Sequence, residues 1–260
     1  MKFIYSLILA QLCFIMTIKA QDFSQYSKGI FVKGKDSMNY RVLLPEHFDS
    51  AKTYPVVFFL HGSGENGSDN ELQLKNGGSL FLRSDVRKNF PSIVVFPQCS
   101  KNSFWSNTKF EKDSTGKTQI IFVKGGKPTK AMHALLKMVN NFLEKPYVSK
   151  SQVFVGGLSA GGMGAYEVLR RKPKMFAAAF AICGGDHIGN VYKYRNVPIW
   201  IFHGAKDPIV NPQYSKVIAD QLKAIGREVK FTMYADAGHN SWDNAFAEPF
   251  FLPWLYSHKK

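Results

Sequence analysis

The sequence predicts an α/β fold, a three-layer α/β/α sandwich with a mostly parallel sheet and an antiparallel hairpin at its start. Solid apolar runs, typical of strands covered on both faces, alternate with segments of helical periodicity. The first two strand-like segments instead alternate polar and apolar residues and are joined by residues 34–37, which indicates a hairpin at one edge. With 260 residues, 45% hydrophobic and 20% charged, the chain is long enough for one large domain, expected over residues 21–260.

The elements follow from these patterns in order. The hairpin is expected at residues 29–33 and 39–44, and the six buried strands at residues 55–60, 92–96, 152–156, 177–182, 197–202 and 229–234. Apolar residues from Met132 to Leu143 recur at helical spacing, and residues 162–171 are expected to form a second helix. A third begins at the capping residue Asn211, with Pro212 at its first position and Gly226 beyond its end.

Residues 1–20 have the pattern of a secretory signal. Lys2 precedes an apolar run over residues 3–18, and Ala20 is followed by polar sequence, which predicts cleavage after Ala20. The alternative is an uncleaved anchor helix, for which the apolar run is short. We therefore expect a secreted or periplasmic protein with no stable membrane anchor after cleavage.

The net charge is strongly basic and bears on the classes of partner that the chain could bind. The formal charge is +15, and removal of residues 1–20, which hold two lysines and no acid, would leave +13. Such a charge could favour an anionic polysaccharide, a membrane surface or nucleic acid. The basic residues are scattered, however, with residues 170–172 the longest cluster, and no nucleic-acid-binding module is visible. We expect a solvated basic surface and no nucleic-acid partner.

The cysteines indicate neither a metal site nor a redox motif. Cys13 would leave with the signal, while Cys99 and Cys183 each follow a predicted strand. Export permits a disulfide between them, but those strands are not expected to be adjacent, so two buried free thiols are favoured. Two distant cysteines without C-x-x-C or H-E-x-x-H motifs predict no metal, and no cofactor is expected.

The segment Gly157-Leu158-Ser159-Ala160-Gly161 fits the G-x-S-x-G pattern of a nucleophile elbow. It lies between a predicted strand and a predicted helix, which is the context that gives the pattern its meaning. The sharp turn strains the serine backbone and lifts its hydroxyl above the sheet, and only small neighbours such as Gly157 and Gly161 tolerate it.

The other catalytic candidates lie at the carboxyl ends of strands, where active sites of open α/β sheets form. Ser159, Asp207 and His239 each follow a strand, in the chain order of a Ser-Asp-His triad. The serine needs a base to take its proton, imidazole suits that task, and a carboxylate orients the imidazole.

Other residues compete for two of these roles. Asp186 and Asp236 are alternatives to Asp207, and His61 and His203 are alternatives to His239. Both of these histidines begin a His-Gly pair, for which a ring that fastens its loop by hydrogen bonds is the favoured interpretation. The oxyanion hole is expected from the backbone N–H of Ala160 and of Ser63, with Gly64 close behind. Residues 62–67 also spell G-x-G-x-x-G, but the flanking sequence does not support a dinucleotide site.

Taken together, these motifs resemble the α/β-hydrolase superfamily over about residues 37–255. The likeness is specifically to secreted single-domain esterases labelled predicted peptidases, related to the phospholipase/carboxylesterase and dienelactone-hydrolase groups. The resemblance implies that Ser159, Asp207 and His239 are nucleophile, acid and base. It implies esters of plant cell-wall carbohydrate, feruloyl or acetyl, or small esters as substrates. The matching segments are residues 60–67, 96–99 with Trp105, 157–162, 182–185, 203–207 and 238–242.

Two features depart from this family and concern specificity. The residue after the nucleophile is Ala160, where the family usually has methionine. Residues 108–129 follow the family poorly and are expected to form a polar surface loop at the rim of the site. Trp105 and Trp242 could line a substrate pocket, and packing at the sheet edge is the alternative for both.

The resulting hypothesis is a serine carboxylic-ester hydrolase that works through an acyl-enzyme on a small-molecule or carbohydrate-linked ester. A serine peptidase on the same fold is one alternative. A non-catalytic binding protein on a hydrolase scaffold is the other, but every triad residue type is present.

Overall fold

A computed structural model describes residues 22–260, and its centre is an eight-stranded sheet. The strand order is β1-β2-β4-β3-β7-β8-β9-β10, and the strands from β4 to β10 in this order run parallel. The bounds are β1 Ser27–Lys33, β2 Asp36–Leu43, β3 Tyr54–Leu60, β4 Ile93–Pro97, β7 Val148–Leu158, β8 Ala178–Ile182, β9 Ile199–Gly204 and β10 Val229–Tyr234. The predicted mostly parallel sheet is confirmed.

The N-terminal hairpin forms the sheet edge that the alternating pattern predicts. β1 and β2 pair antiparallel with Phe31 opposite Met38, and β2 pairs antiparallel with β4. On the outermost strand Ile30 and Val32 are exposed while Phe31 is buried, so one face of the hairpin covers the core and the other faces solvent.

Helices cover both faces of the sheet, which makes the predicted three-layer sandwich. Their bounds are α1 Gly78–Leu82, α2 Ser84–Asn89, α3 Lys130–Leu143, α4 Ala160–Arg171, α5 Val191–Tyr194, α6 Gln213–Ala224, α7 Trp242–Ala247 and α8 Phe251–Ser257. The predicted cap and stop of the third helix are present: Asn211 Oδ1 accepts the N–H of Gln213 at 2.9 Å, and Gly226 has a φ of 67°.

Two hydrophobic cores lie on opposite faces of the sheet because successive side chains of a strand point in opposite directions. In β3, Phe58 packs with the residues of α3, α4 and α6, whereas Phe59 packs with those of α1 and α8. Both phenylalanines are fully buried. This double coverage explains the solid apolar runs, and it holds the carboxyl ends of the strands in fixed positions at one edge.

The segment expected to be a polar surface loop contains regular structure instead. Residues Lys109–Lys112 (β5) and Thr118–Ile121 (β6) pair as a separate antiparallel hairpin. Its turn is held by Asp113, whose carboxylate accepts the N–H groups of Thr115 and Lys117, with Gly116 at a φ of 82°. The hairpin is mostly exposed, so no buried face marks it in the sequence.

Cys99 and Cys183 are buried free thiols, as favoured from the sequence. Within residues 22–260, no helix combines the length and apolar character that a membrane crossing requires. The predicted signal over residues 1–20 and its cleavage after Ala20 lie outside the described residues.

Candidate active site

Ser159 occupies the turn between β7 and α4, in the geometry that the elbow pattern predicts. It is the one residue between Leu158, the end of the strand, and Ala160, the start of the helix. Its φ of 53° and ψ of −118° are strained for a residue with a side chain. A Cβ added to Gly161 would lie 1.9 Å from the carbonyl oxygen of Leu60, so the elbow packs directly against β3 and admits only glycine there.

The structure brings Ser159, His239 and Asp207 into one hydrogen-bonded chain. His239 Nε2 lies 3.0 Å from Ser159 Oγ, and His239 Nδ1 lies 2.8 Å from Asp207 Oδ2. Because a carboxylate only accepts, the proton of His239 belongs on Nδ1, which leaves Nε2 free to accept the serine proton. The residues come from loops after three different strands, β7, β9 and β10.

The carboxylate of Asp207 is surrounded by donors. Oδ1 accepts the N–H groups of Ile209 at 2.8 Å and Val210 at 3.0 Å, and Oδ2 also faces His203 Nε2 at 3.2 Å. Burial alone would raise the pKa of Asp207, but the hydrogen bonds from His203, His239 and the two backbone N–H groups outweigh burial and hold that pKa well below its usual range. Asp207 therefore stays ionised. The sequence predicts that His203 holds its own loop by hydrogen bonds; in the structure its ring also contacts the carboxylate of Asp207.

Asp186, the alternative acid, lies in a different network. Its carboxylate accepts the N–H of His187 at 2.7 Å, Asn190 Nδ2 at 2.8 Å and the hydroxyl of Tyr194 at 3.2 Å. Burial raises its pKa to about 6 against the opposing effect of these donors. The other alternative, Asp236, is exposed and forms a surface ion pair with Lys206.

His61 holds the loop beside Ser159 in place by hydrogen bonds. The N–H of Cys99 donates to its Nε2 at 3.0 Å, so Nδ1 carries the proton and donates to the carbonyl of Gly62 at 2.6 Å. Burial lowers the pKa of His61 to about 4, and the ring therefore stays neutral. Both nitrogens are thus engaged in holding the loop, as the His-Gly pattern indicated.

The loop after β3 lies next to Ser159, where an oxyanion hole is expected. A Cβ added to Gly62 would lie 3.7 Å from Ser159 Cβ. Ser63 starts a single 3₁₀ turn, Ser63–Glu65, and within residues 22–260 its N–H makes no hydrogen bond. Ala160 is the first residue of α4, so its N–H is one of the unpaired donors of the helix N-terminus.

A buried acid braces this loop from within. The carboxylate of Glu65 accepts Asn76 Nδ2 at 3.1 Å, and the loop carbonyl of Glu65 accepts Gln98 Nε2 at 3.3 Å. Burial raises the pKa of Glu65, and the charge of Lys75 together with the hydrogen bonds from Asn76 and the loop backbone acts in the opposite direction. Glu65 is a functional residue that residue type and spacing do not reveal; its place three residues after Gly62, inside a loop of small residues, is the local signal that points to it.

The two tryptophans differ in their exposure to solvent. Trp105 is 0% exposed, its Nε1 donates to the carbonyl of His61 at 3.0 Å, and its side chain packs against Gly164. It therefore does not line a surface that a substrate can reach, which corrects that expectation in favour of packing. Trp242 is partly buried and meets the ring of His239 edge-on at 5.5 Å.

One group of possible metal donors occurs among residues 22–260. Cys183 Sγ, a carboxylate oxygen of Asp207 and a ring nitrogen of His239 lie within 4.8 Å of one another. Burial raises the pKa of the Cys183 thiol far above its ordinary value, and Asp207 and His239 are already bonded to each other. This chemistry favours a hydrogen-bonded site over a metal centre.

The strand order, the strained serine after β7 and the hydrogen-bonded Asp207 and His239 on the loops after β9 and β10 are the features of an α/β-hydrolase. Within that superfamily, the chain belongs to the phospholipase/carboxylesterase family, whose model matches residues 48–248. The predicted resemblance is confirmed, and the protein is a hydrolase of the carboxylesterase type.

Individual relatives are similar to this chain at low sequence identity. Acyl-protein thioesterase 1 of Candida albicans is 24% identical over 228 residues, which cover 80% of this chain and 93% of that protein. The probable feruloyl esterase C of Aspergillus terreus is 26% identical over 179 residues, 69% of this chain and 58% of that protein. A thermostable esterase of known structure superposes with a TM-score of 0.80 at 28% identity, covering 91% of this chain and 64% of that one.

Proposed function

We propose that this chain is a serine ester hydrolase with Ser159 as nucleophile, His239 as base and Asp207 as acid. The observation that supports this most directly is the unbroken chain from Ser159 Oγ through both ring nitrogens of His239 to Asp207 Oδ2, with contacts of 3.0 and 2.8 Å. A hydroxyl alone is a weak nucleophile at neutral pH, and this chain supplies the base and its orientation.

In acylation, Ser159 Oγ attacks the ester carbonyl while His239 Nε2 takes the hydroxyl proton. Asp207, kept ionised by its four donors, stabilises the imidazolium that forms. His239 then gives its proton to the departing alcohol oxygen. The reaction leaves an acyl group on Ser159 and a free alcohol.

The negative charge of the tetrahedral intermediate is met by the backbone N–H groups of Ser63 and Ala160. The Ser63 N–H makes no hydrogen bond within the described part of the chain, residues 22–260. The Ala160 N–H adds the positive end of α4. In deacylation His239 takes a proton from water as the water oxygen attacks the acyl carbonyl. The bond between Ser159 Oγ and the acyl carbon then breaks, His239 returns the proton to Ser159 Oγ, and the carboxylic acid is released.

The proposed substrates are esters on plant cell-wall carbohydrate, feruloyl or acetyl, together with small model esters. The feruloyl esterase relative supports the first group. Export by the signal expected at residues 1–20 would bring a secreted or periplasmic enzyme to such polymers, which do not enter cells. The basic surface suits polysaccharides that carry carboxylate groups.

The test compares wild type with Ser159→Ala on p-nitrophenyl acetate, with Ser63→Ala as a matched loss of a nearby exposed serine. We expect Ser159→Ala to lose nearly all turnover and all labelling by a fluorophosphonate, while Ser63→Ala keeps both. Undiminished turnover in Ser159→Ala would contradict the assignment. A panel of feruloyl esters, acetyl-xylan and peptide anilides then ranks the substrate classes, and preferential cleavage of the anilides would favour a peptidase.

A further inference from the structure

A second histidine contacts the carboxylate that orients His239. His203, the penultimate residue of β9, is 0% exposed, and its Nε2 lies 3.2 Å from Asp207 Oδ2. That oxygen therefore sits between two imidazoles, one from His203 and one from His239. Of these two rings, His239 is the one that also contacts Ser159 Oγ.

The proton on His203 Nε2 is fixed by its partners. Nε2 lies 2.9 Å from the carbonyl oxygen of Val210 and 3.2 Å from Asp207 Oδ2, and both of these oxygens only accept. Nε2 must therefore carry a hydrogen and donate it toward the two oxygens. This makes His203 a hydrogen-bond donor to the ionised Asp207.

The far side of the ring is held as well. His203 Nδ1 lies 2.7 Å from Ser215 Oγ, and Ser215 is a fully buried residue of α6 whose hydroxyl also lies 3.0 Å from the carbonyl of Gly184. The ring is thus clamped at both nitrogens between α6 and the acid loop. A clamped ring holds its Nε2–H at a fixed position relative to Asp207.

We propose that His203, held by Ser215, is a positioning residue of the active site: it fixes the carboxylate of Asp207 so that Oδ2 meets His239 Nδ1. This inference rests on the proposed function. The backbone of Val210 also helps to hold this arrangement, because its N–H donates to Asp207 Oδ1 while its carbonyl accepts from His203. Without the His203 donor, Asp207 can rotate about its side-chain bonds, and the orientation of His239 is then less well defined. We expect kcat to fall, because small displacements of catalytic groups slow a reaction strongly.

The experiment uses the full chain and a matched pair, His203→Gln and His203→Met. Both side chains have similar length and volume, but only glutamine offers an N–H at the position of Nε2. Turnover of p-nitrophenyl acetate is measured per active site, counted by fluorophosphonate titration. We expect His203→Met to lower kcat by about 10- to 100-fold with little change in KM, and His203→Gln to recover most of that loss.

A spectroscopic signature separates positioning from a merely structural role. The proton shared by His239 Nδ1 and Asp207 gives a low-field imidazole resonance in the proton NMR spectrum, identified by its absence in Asp207→Asn. We expect that resonance to move or broaden in His203→Met and to return in His203→Gln. Loss of thermal stability with unchanged kcat per titrated site and an unchanged resonance would overturn the proposal.

Ser215→Ala keeps the test decisive if His203→Met does not fold. It removes only the hydroxyl that holds Nδ1, and we expect a several-fold lower kcat with KM unchanged; wild-type kcat and resonance in this variant would overturn the proposal. Ser159→Ala distinguishes failure of the positioning role of His203 from failure of the proposed function. If Ser159→Ala is inactive while the His203 and Ser215 variants match wild type, the positioning role fails and the proposed function stands; if Ser159→Ala is active, the proposed function itself fails.

Discussion

Asp207 and Asp186 follow neighbouring strands of one sheet, yet their carboxylates have opposite properties. Asp207 receives donors from two histidines and two backbone N–H groups, and its pKa lies well below the usual range. Asp186 receives three donors, none of them a histidine ring, and burial raises its pKa to about 6. The balance between burial and the donors around each carboxylate, and not the position after a strand, therefore sets the pKa of each acid at this edge.

The sharpest test of this comparison is to neutralise each acid in turn. Asp207→Asn keeps the shape of the side chain but removes the charge and favours the wrong tautomer of His239, so we expect kcat to fall about 10⁴-fold. Asp186→Asn, which can keep its contacts with His187 and Asn190, should stay within a few-fold of wild type. Both are measured on p-nitrophenyl acetate. A comparable loss in both variants would mean that Asp186 also serves the reaction.

Fixed backbone donors are also expected to meet the negative charge that develops on the carbonyl oxygen of the substrate. Ser63→Pro deletes the proposed oxyanion donor at a position that tolerates proline, because Ser63 is the first residue of its 3₁₀ turn and Gly62 before it is extended, with a ψ of 173°. We expect kcat to fall about 10²- to 10³-fold.

Ser63→Ala is the control for this change, since it keeps the N–H and removes only the hydroxyl. It should retain activity within about twofold if the side chain plays no part in the transition state. Full activity in Ser63→Pro would show that the second oxyanion donor is another N–H of the loop, with that of Gly64 the next candidate.

The features predicted from the sequence are those written in local patterns. The buried strands follow from solid apolar runs, and the elbow follows from glycines that a close backbone approach requires, as at Gly161 beside Leu60. The chain order of Ser159, Asp207 and His239 pointed to residues that the fold brings within hydrogen-bond distance. Parallel strands explain this success, because their carboxyl ends meet at one edge.

The features that were missed depend on contacts between distant segments. The exposed hairpin of β5 and β6 has no buried face to create a periodic pattern. The burial of Trp105 depends on how its indole meets Gly164 of α4, 59 positions further along the chain. The contact of His203 with Asp207 depends on the rotamer of the acid and on Ser215 from α6. None of these can be read from residue type and spacing.

The raised pKa of Asp186 should be visible in the pH dependence of stability. Its pKa rises from an ordinary 3.8 to about 6 on folding, so the folded state binds a proton more tightly. The stabilisation that this tighter proton binding provides is fully present below the unfolded pKa of 3.8 and is lost as pH rises through the folded pKa of about 6. The free energy of unfolding therefore falls over this pH range. Asp186→Asn removes this contribution, and denaturant unfolding at pH 4 and pH 7 should show the variant gaining about 1 to 3 kcal/mol relative to wild type at the higher pH. A constant difference between the two proteins would contradict the raised pKa.

The smallest expected effect concerns the contact between Trp242 and the ring of His239. Trp242 meets the imidazole edge-on at 5.5 Å, and such an aromatic pair contributes about 0.5 to 1.5 kcal/mol. If that contact restrains the ring, Trp242→Leu should lower kcat by about 2- to 10-fold with KM unchanged, and Trp242→Phe, which keeps an aromatic edge, should lose less. The steady-state constants on feruloyl and acetyl esters decide the matter. A raised KM for the feruloyl ester alone, with kcat unchanged, would show that the indole contacts the acyl group, and Trp242 would then act on specificity while the hydrogen bonds to Asp207 suffice to orient the base.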